Sequence, residues 1–251
     1  MIVTVFVFGC PGSGKSTTAR CIEMLARDRR EVWSAFRFND YKILDAWFHD
    51  INQQYKFRPR EYGGFDILAP ELYDEALREL RREIQEHQSK ENEFIIIEFA
   101  RCDYQSALEL FGKDFILGAY FLFLDAGIET CVQRIHERVR KQTKTLDDHF
   151  TSEFVFECYR QRQKEYIDSN ISMLKTAFGV DDRSIKIIYN SGTRSRDEIY
   201  SEMKDFVDYL AQKHYTSPQG VNLNTTDLAI QAEEKDTGPL MPVSELERAK
   251  I

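Results

Sequence analysis

The chain has 251 residues, of which 42% are hydrophobic and 30% charged, an ordinary balance for a globular protein with room for one domain of about 200 residues and an extension. A net charge of −8 argues against a broad nucleic-acid-coating surface, although a local basic pocket stays compatible with it. No apolar run approaches the ~18 residues of a membrane span, and no basic stretch precedes the first run as in a signal peptide.

Ile2 to Phe8 is short, β-branched and nearly all apolar, as in a strand covered on both faces. Helical spacing follows from Lys15 to Arg29. Val32–Phe38 alternates as a second strand, and Tyr41–Ile51 suits a helix. Residues 55–70 hold Pro59, Gly63, Gly64 and Pro70, which predict an irregular loop. Glu71–His87 is an amphipathic helix with Leu72, Ala76, Leu80 and Ile84 as its apolar stripe. Phe94–Phe99 and Gly118–Leu124 are further strands with a short helix, Tyr104–Phe111, between them. Ile128–Lys141 and Ser152–Phe178 read as long helices, Ile185–Tyr189 as the fifth strand and Ser195–Lys213 as the closing helix. Alternation of this kind predicts an α/β fold with a five-stranded parallel sheet, helices on both faces and right-handed crossovers. From Thr216 onward the composition turns polar, with three of the six prolines, and predicts a flexible extension.

Gly9-Cys10-Pro11-Gly12-Ser13-Gly14-Lys15-Ser16, followed by Thr17, fits G-x-x-x-x-G-K-[ST] between a strand and a helix, the context that confirms a phosphate loop. Glycines let the backbone curl so that its N–H groups face phosphate oxygens, and the helix adds its positive end. Lys15 suits the β- and γ-phosphates of ATP, and the Ser16 hydroxyl suits Mg²⁺. Cys10 is a small residue in the loop whose thiol could make it sensitive to oxidation. Cys10, Cys21, Cys102, Cys131 and Cys158 are odd in number and scattered without a C-x-x-C pair. That predicts reduced thiols in a cytoplasm rather than a disulfide framework or a zinc site.

On this loop and its order of elements, residues 1–212 resemble the P-loop nucleoside/nucleotide kinase-like group: adenylate kinase relatives, shikimate and gluconate kinases, zeta toxins and polynucleotide 5′-kinases. The loop followed by Asp40-Tyr41-Lys42 is most similar to the kinase domain of phage-type polynucleotide kinases. The resemblance implies a three-layer fold with a small lid at about 134–150 and an acceptor-binding region at about 40–70. It also implies an Asp after the second strand that takes the acceptor's proton. Asp40 is the candidate; it also suits an N-cap for the following helix, and the family's base lies one residue earlier, at Asn39 here. Glu98 and Arg101 match an acidic group near the metal and an arginine that grips the acceptor, or form a surface ion pair. Arg134 and Arg138, with Arg140, Lys141, Lys144, Asp147 and Asp148, match the lid, or form a solvated helix face. Asn190, in Ile188–Thr193, matches the loop lying against adenine, or is simply a turn.

Residues 36–65 carry nine aromatics, Phe36, Phe38, Tyr41, Trp47, Phe48, Tyr55, Phe57, Tyr62 and Phe65, with Lys42, Lys56, Arg58 and Arg60 among them. Some of these rings are core and some are available to stack on a base, while Arg58 is the candidate for an acceptor's phosphate. The expected activity is therefore ATP- and Mg²⁺-dependent transfer of the γ-phosphate to a hydroxyl or phosphate of a nucleotide, nucleoside or polynucleotide 5′ end. Two alternatives are a zeta-toxin-like sugar-nucleotide kinase and a regulatory or defence NTPase acting on a protein partner through the 214–251 tail.

Overall fold

A computed structural model describes residues 1–29, 33–61, 63–88, 92–141, 151, 153–162, 165–192 and 195–215. The expectations for Tyr62, Lys144, Asp147, Asp148, Thr193 and the tail from Thr216 fall outside the described residues. Among the described residues no helix is long and apolar enough to cross a membrane.

Five parallel strands, β1 (Ile2–Phe8), β2 (Ser34–Asn39), β5 (Glu93–Glu98), β6 (Tyr120–Asp125) and β7 (Ile185–Tyr189), form the predicted sheet in the order β2-β5-β1-β6-β7. The period of two sorts their side chains onto two faces. Phe6, Phe8, Ile95, Ile97, Phe121 and Phe123 belong to one core, closed by α3 (Leu72–Glu86) and the short helices α4 (Gln105–Glu109) and α5 (Lys113–Leu117). Val5, Val7, Ile96, Leu122 and Leu124 belong to the other, under α1 (Lys15–Arg27) and α9 (Arg196–His214). Both faces are covered, which explains why the strands read as continuous apolar runs.

Two expectations change. Residues 55–70 are not an irregular loop throughout. Gln54–Lys56 form a single 3-10 turn, and β3 (Phe57–Pro59) pairs antiparallel with β4 (Phe65–Ile67), with Arg58 opposite Asp66. Gly63 and Gly64, at φ of 89° and 79°, supply the left-handed backbone for the reversal. The second change concerns residues 152–178, which are not one helix. α7 (Glu153–Arg162) ends, α8 (Tyr166–Met173) begins anew, and a wider π turn over Leu174–Phe178 leads to Gly179 at φ 77°. On a continuous helix seven residues rise about 10 Å. The rings of Tyr159 and Tyr166 are 5.3 Å apart at their centroids, closer than that rise, and both side chains enter the same core. The remaining helices are α2 (Asp40–His49) and α6 (Ile128–Val139), each within two residues of its predicted limits.

Candidate functional site

The carboxyl ends of β1, β2 and β5 open into one cavity of about 1230 Å³. A single small-molecule site usually takes about 300–1,000 Å³, so this volume suits two substrates side by side. Its wall includes Pro11, Gly12, Gly14, Lys15, Ser16 and Thr17 together with Asp40, Tyr41, Arg58, Phe65, Tyr73 and Arg101. Among the described residues, nine Lys and Arg side chains line it against five Asp and Glu. A chain with net charge −8 thus concentrates positive charge in one concavity, as an anionic ligand demands.

The glycine-rich turn joins the end of β1 to the start of α1, with Gly9, Gly12 and Gly14 at positive φ. Gly14, at φ 104°, precedes the first helical residue, Lys15, and aims the N-terminus of α1 at the cavity. Lys15 Nζ folds back to donate to the carbonyls of Gly9 (2.8 Å) and Cys10 (3.1 Å), and burial holds the ammonium below its ordinary pKa. The Cys10 thiol is held above its ordinary value by its hydrogen bond to Cys131 and by burial. The same hydrogen bond holds the Cys131 thiol below its ordinary value, so of this buried pair Cys10 is the one that keeps its proton.

Asn190 braces this loop. Its amide donates to the Ser13 carbonyl at 2.8 Å, and its Oδ1 accepts from Arg134 Nη2 at 3.1 Å. The side chain thus ties the loop to α6. Arg138, one turn beyond Arg134, also lines the cavity and reaches Thr151 Oγ1 at 3.5 Å.

Sequence reasoning passed over one strut. The Gly9 N–H donates to Tyr104 Oη at 3.3 Å, and that hydroxyl donates to the Phe99 carbonyl at 3.3 Å. Burial pushes the Tyr104 phenol up to about 12, so it remains a donor at neutral pH. No local pattern marks such a residue, because it acts behind the loop from another helix. Tyr104→Phe is expected to cost about 1–3 kcal/mol, the penalty for stranding buried polar groups. Its urea midpoint should fall, with weaker ADP binding; an unchanged midpoint and affinity would remove the strut from the account.

Asp40 is not an N-cap. Asn39 holds that position, its side chain accepting from the Lys42 N–H at 2.9 Å. Asp40 lies in the first turn of α2, where its Oδ2 accepts from Arg101 Nη1 at 2.8 Å. Both side chains are nearly buried, at 10% and 13% exposed, so the pair is not a surface one. Arg101 is fixed further by the Tyr73 carbonyl at 2.9 Å and stands over the Tyr73 ring at 4.8 Å. Asp40 and Arg101, 61 positions apart in sequence, thus meet at one point of the cavity.

Glu98 lies level with Asn39 in the β2–β5 register and beside Val7 in β1. Its Oε1 accepts from Arg37 and from Asn39 Nδ2, the latter at 3.1 Å. Arg37 was also missed, although it precedes Asn39 by two and so shares its face. Glu98 Oε2 is buried without a hydrogen-bond partner. Such an orphaned carboxylate oxygen calls for a ligand. Among the described residues no cluster of three or more His, Cys, Asp or Glu could cage a metal. One carboxylate with one hydroxyl, Ser16, fits Mg²⁺, which keeps its waters and takes phosphate oxygens for the rest.

Of the nine aromatics in 36–65, Tyr41 and Phe65 line the cavity and stack at 5.3 Å with 4° between planes. Phe48 and Phe57 pack behind Phe65. Phe36 and Phe38 instead face His87. The β3–β4 hairpin adds Arg58 and Arg60, the latter paired with Asp66. Lys42 and Lys56 are not part of the wall.

The expectation of reduced, scattered thiols is corrected: Cys102 and Cys158 are joined as a disulfide, with Cα atoms 6.2 Å apart. They are 56 positions apart, and spacing alone gives no sign that α7 passes the loop after β5.

No protein-family model matches the chain. UMP-CMP kinases of Sus scrofa and Bos taurus are each 26% identical to it over 208 residues, covering 81% of this chain and 96% of theirs. Solved structures that resemble it include shikimate kinase from Bacteroides thetaiotaomicron (TM-score 0.44, 17% identity, 83% and 98% of the two chains). Another is Chaetomium thermophilum Kti12 in complex with ADP-AlF3 (TM-score 0.49, 12% identity, 83% and 99%). At these scores the likenesses say nothing of the reaction. The strand–loop–helix from β1 to α1 and the parallel strand order give the chain an α/β fold, and the curated relatives that it resembles over 81% of its length are named nucleotide kinases.

Proposed function

We propose that this nucleotide kinase-like P-loop protein is an ATP- and Mg²⁺-dependent kinase whose acceptor is a hydroxyl of a nucleoside, nucleotide or polynucleotide 5′ end. The observation that carries the reading is the Asp40–Arg101 pair in the same cavity as the phosphate loop. A carboxylate held there by Arg101 can accept the proton of a hydroxyl acceptor, a step that an already ionised phosphate acceptor does not need. That favours a hydroxyl over the phosphate acceptor that the name of the UMP-CMP kinase relatives would suggest.

In this reading the loop N–H groups and Lys15 hold the β- and γ-phosphates, and Arg134 and Arg138 offset charge on the moving group. Ser16 and Glu98 Oε2 would hold Mg²⁺, which neutralises charge on the bridging phosphate oxygens when bound. Asp40 takes the acceptor's proton while Arg101 fixes the carboxylate. Tyr41 and Phe65 offer an aromatic face to a base, worth roughly 1–3 kcal/mol per stacked base, and Arg58 offers a cation to an anionic acceptor. Residues 1–213 form the kinase domain, working in the cytoplasm, with the polar 214–251 extension as a site for a protein partner.

Purified protein with γ-labelled ATP should label a hydroxyl in a panel of nucleosides, nucleotides, nucleotide sugars and 5′-hydroxyl oligonucleotides. Label on the phosphate of UMP or CMP alone would overturn the hydroxyl assignment. Label on nothing would sink the kinase reading and leave the regulatory NTPase.

A further inference from the structure

Cys102 and Cys158 both line the cavity, and the segments that carry them are two of its walls. Cys102 follows Arg101, the partner of Asp40. Cys158 lies on α7, which contributes Glu157, Tyr159 and Gln161 to the same wall. Besides the S–S bond, Tyr166 Oη donates to the Arg101 carbonyl at 3.2 Å. The Cα separation of 6.2 Å lies within the usual range for a bridge. Both cysteines are only half-buried, as is Cys21, whereas Cys10 and Cys131 are buried, so the bridging pair can be reached by a small reagent.

A kinase must admit two substrates and then close around them, which requires its walls to move against each other. A bond between α7 and the residue after Arg101 opposes that motion at the acceptor end. We infer that Cys102 and Cys158 form a reversible thiol–disulfide site that slows phosphate transfer when oxidised and releases it when reduced. This regulatory role rests on the kinase reading above. The chemistry is exchange with a small disulfide. One thiolate displaces a thiol from the oxidant to give a mixed disulfide, and the second thiolate displaces the other. The two cysteines lose two protons and two electrons, and the oxidant leaves as two thiols.

The test equilibrates the full chain across mixtures of reduced and oxidised dithiothreitol. It reads the Cys102–Cys158 cross-linked peptide by mass spectrometry without reduction. It also reads ATP consumption with and without acceptor. The cross-link should accumulate under oxidising conditions. Consumption should rise on reduction by at least about fivefold, the low end of coupling between a modification and a distant step. In Cys102→Ser and Cys158→Ser consumption should no longer follow the redox mixture. Absence of the cross-link at every mixture would overturn the inference, as would consumption that ignores it or a Cys102→Ser protein that responds like the parent. The cross-link needs no acceptor, so failure of the kinase reading would show as unlabelled acceptors with the cross-link intact.

Discussion

Asp40→Asn is expected to lower phosphate transfer by about 10²–10⁴-fold, the usual contribution of a positioned base, while ATP binding stays near that of the parent protein. The substitution keeps size and shape and does not touch the cap of α2, which Asn39 supplies. It removes the charge facing Arg101, whose guanidinium keeps its bonds to the carbonyls of Ala100 (2.7 Å) and Tyr73 (2.9 Å). Leaving a nearly buried arginine without its counter-charge destabilises the fold, so the urea midpoint must be read beside the rate. Transfer lost with ADP affinity intact assigns Asp40 to the chemistry. Transfer within about tenfold of the parent would remove it as the base and favour a switch, which needs no acceptor carboxylate.

Gly12→Ala should weaken ATP binding by more than about 100-fold, or roughly 2.7 kcal/mol. Gly12 sits at φ 82°, and a Cβ there would lie 2.4 Å from the backbone carbonyl oxygen of Cys131 on α6. The left-handed backbone alone costs a residue with a Cβ roughly 1–2 kcal/mol. The contact is with backbone, so either the loop or α6, with Arg134 and Arg138, must move. Gly118→Ala is the control: its φ is −86°, and the nearest atoms to an added Cβ are 3.9 Å and 4.0 Å away. Calorimetric titration with ADP should show no change for the control. An equal affinity in Gly12→Ala would mean that the loop does not cradle phosphate.

The local features were legible in the sequence because their causes are local. The apolar runs Ile2–Phe8 and Ile185–Tyr189 give strands wherever the sheet forms, and the positive-φ backbone of the loop admits few residues other than glycine. The β3–β4 hairpin was legible in principle, since Gly63-Gly64 sits between short strands, but three-residue strands leave little alternation to count. The break between α7 and α8 had no such signal, because the helical spacing continues across it. What the sequence by itself determined was a strand, a glycine-rich turn and a helix in the pattern of a phosphate loop. Only the tertiary structure decided what surrounds Asp40, Glu98 and the cysteines. It chose Asn39 over Asp40 as cap, set Asp40 against Arg101, left Glu98 Oε2 unpartnered and joined Cys102 to Cys158. Each of those outcomes depends on which distant segments the parallel crossovers bring to the same edge of the sheet, and pairing at that range leaves no periodicity in the chain.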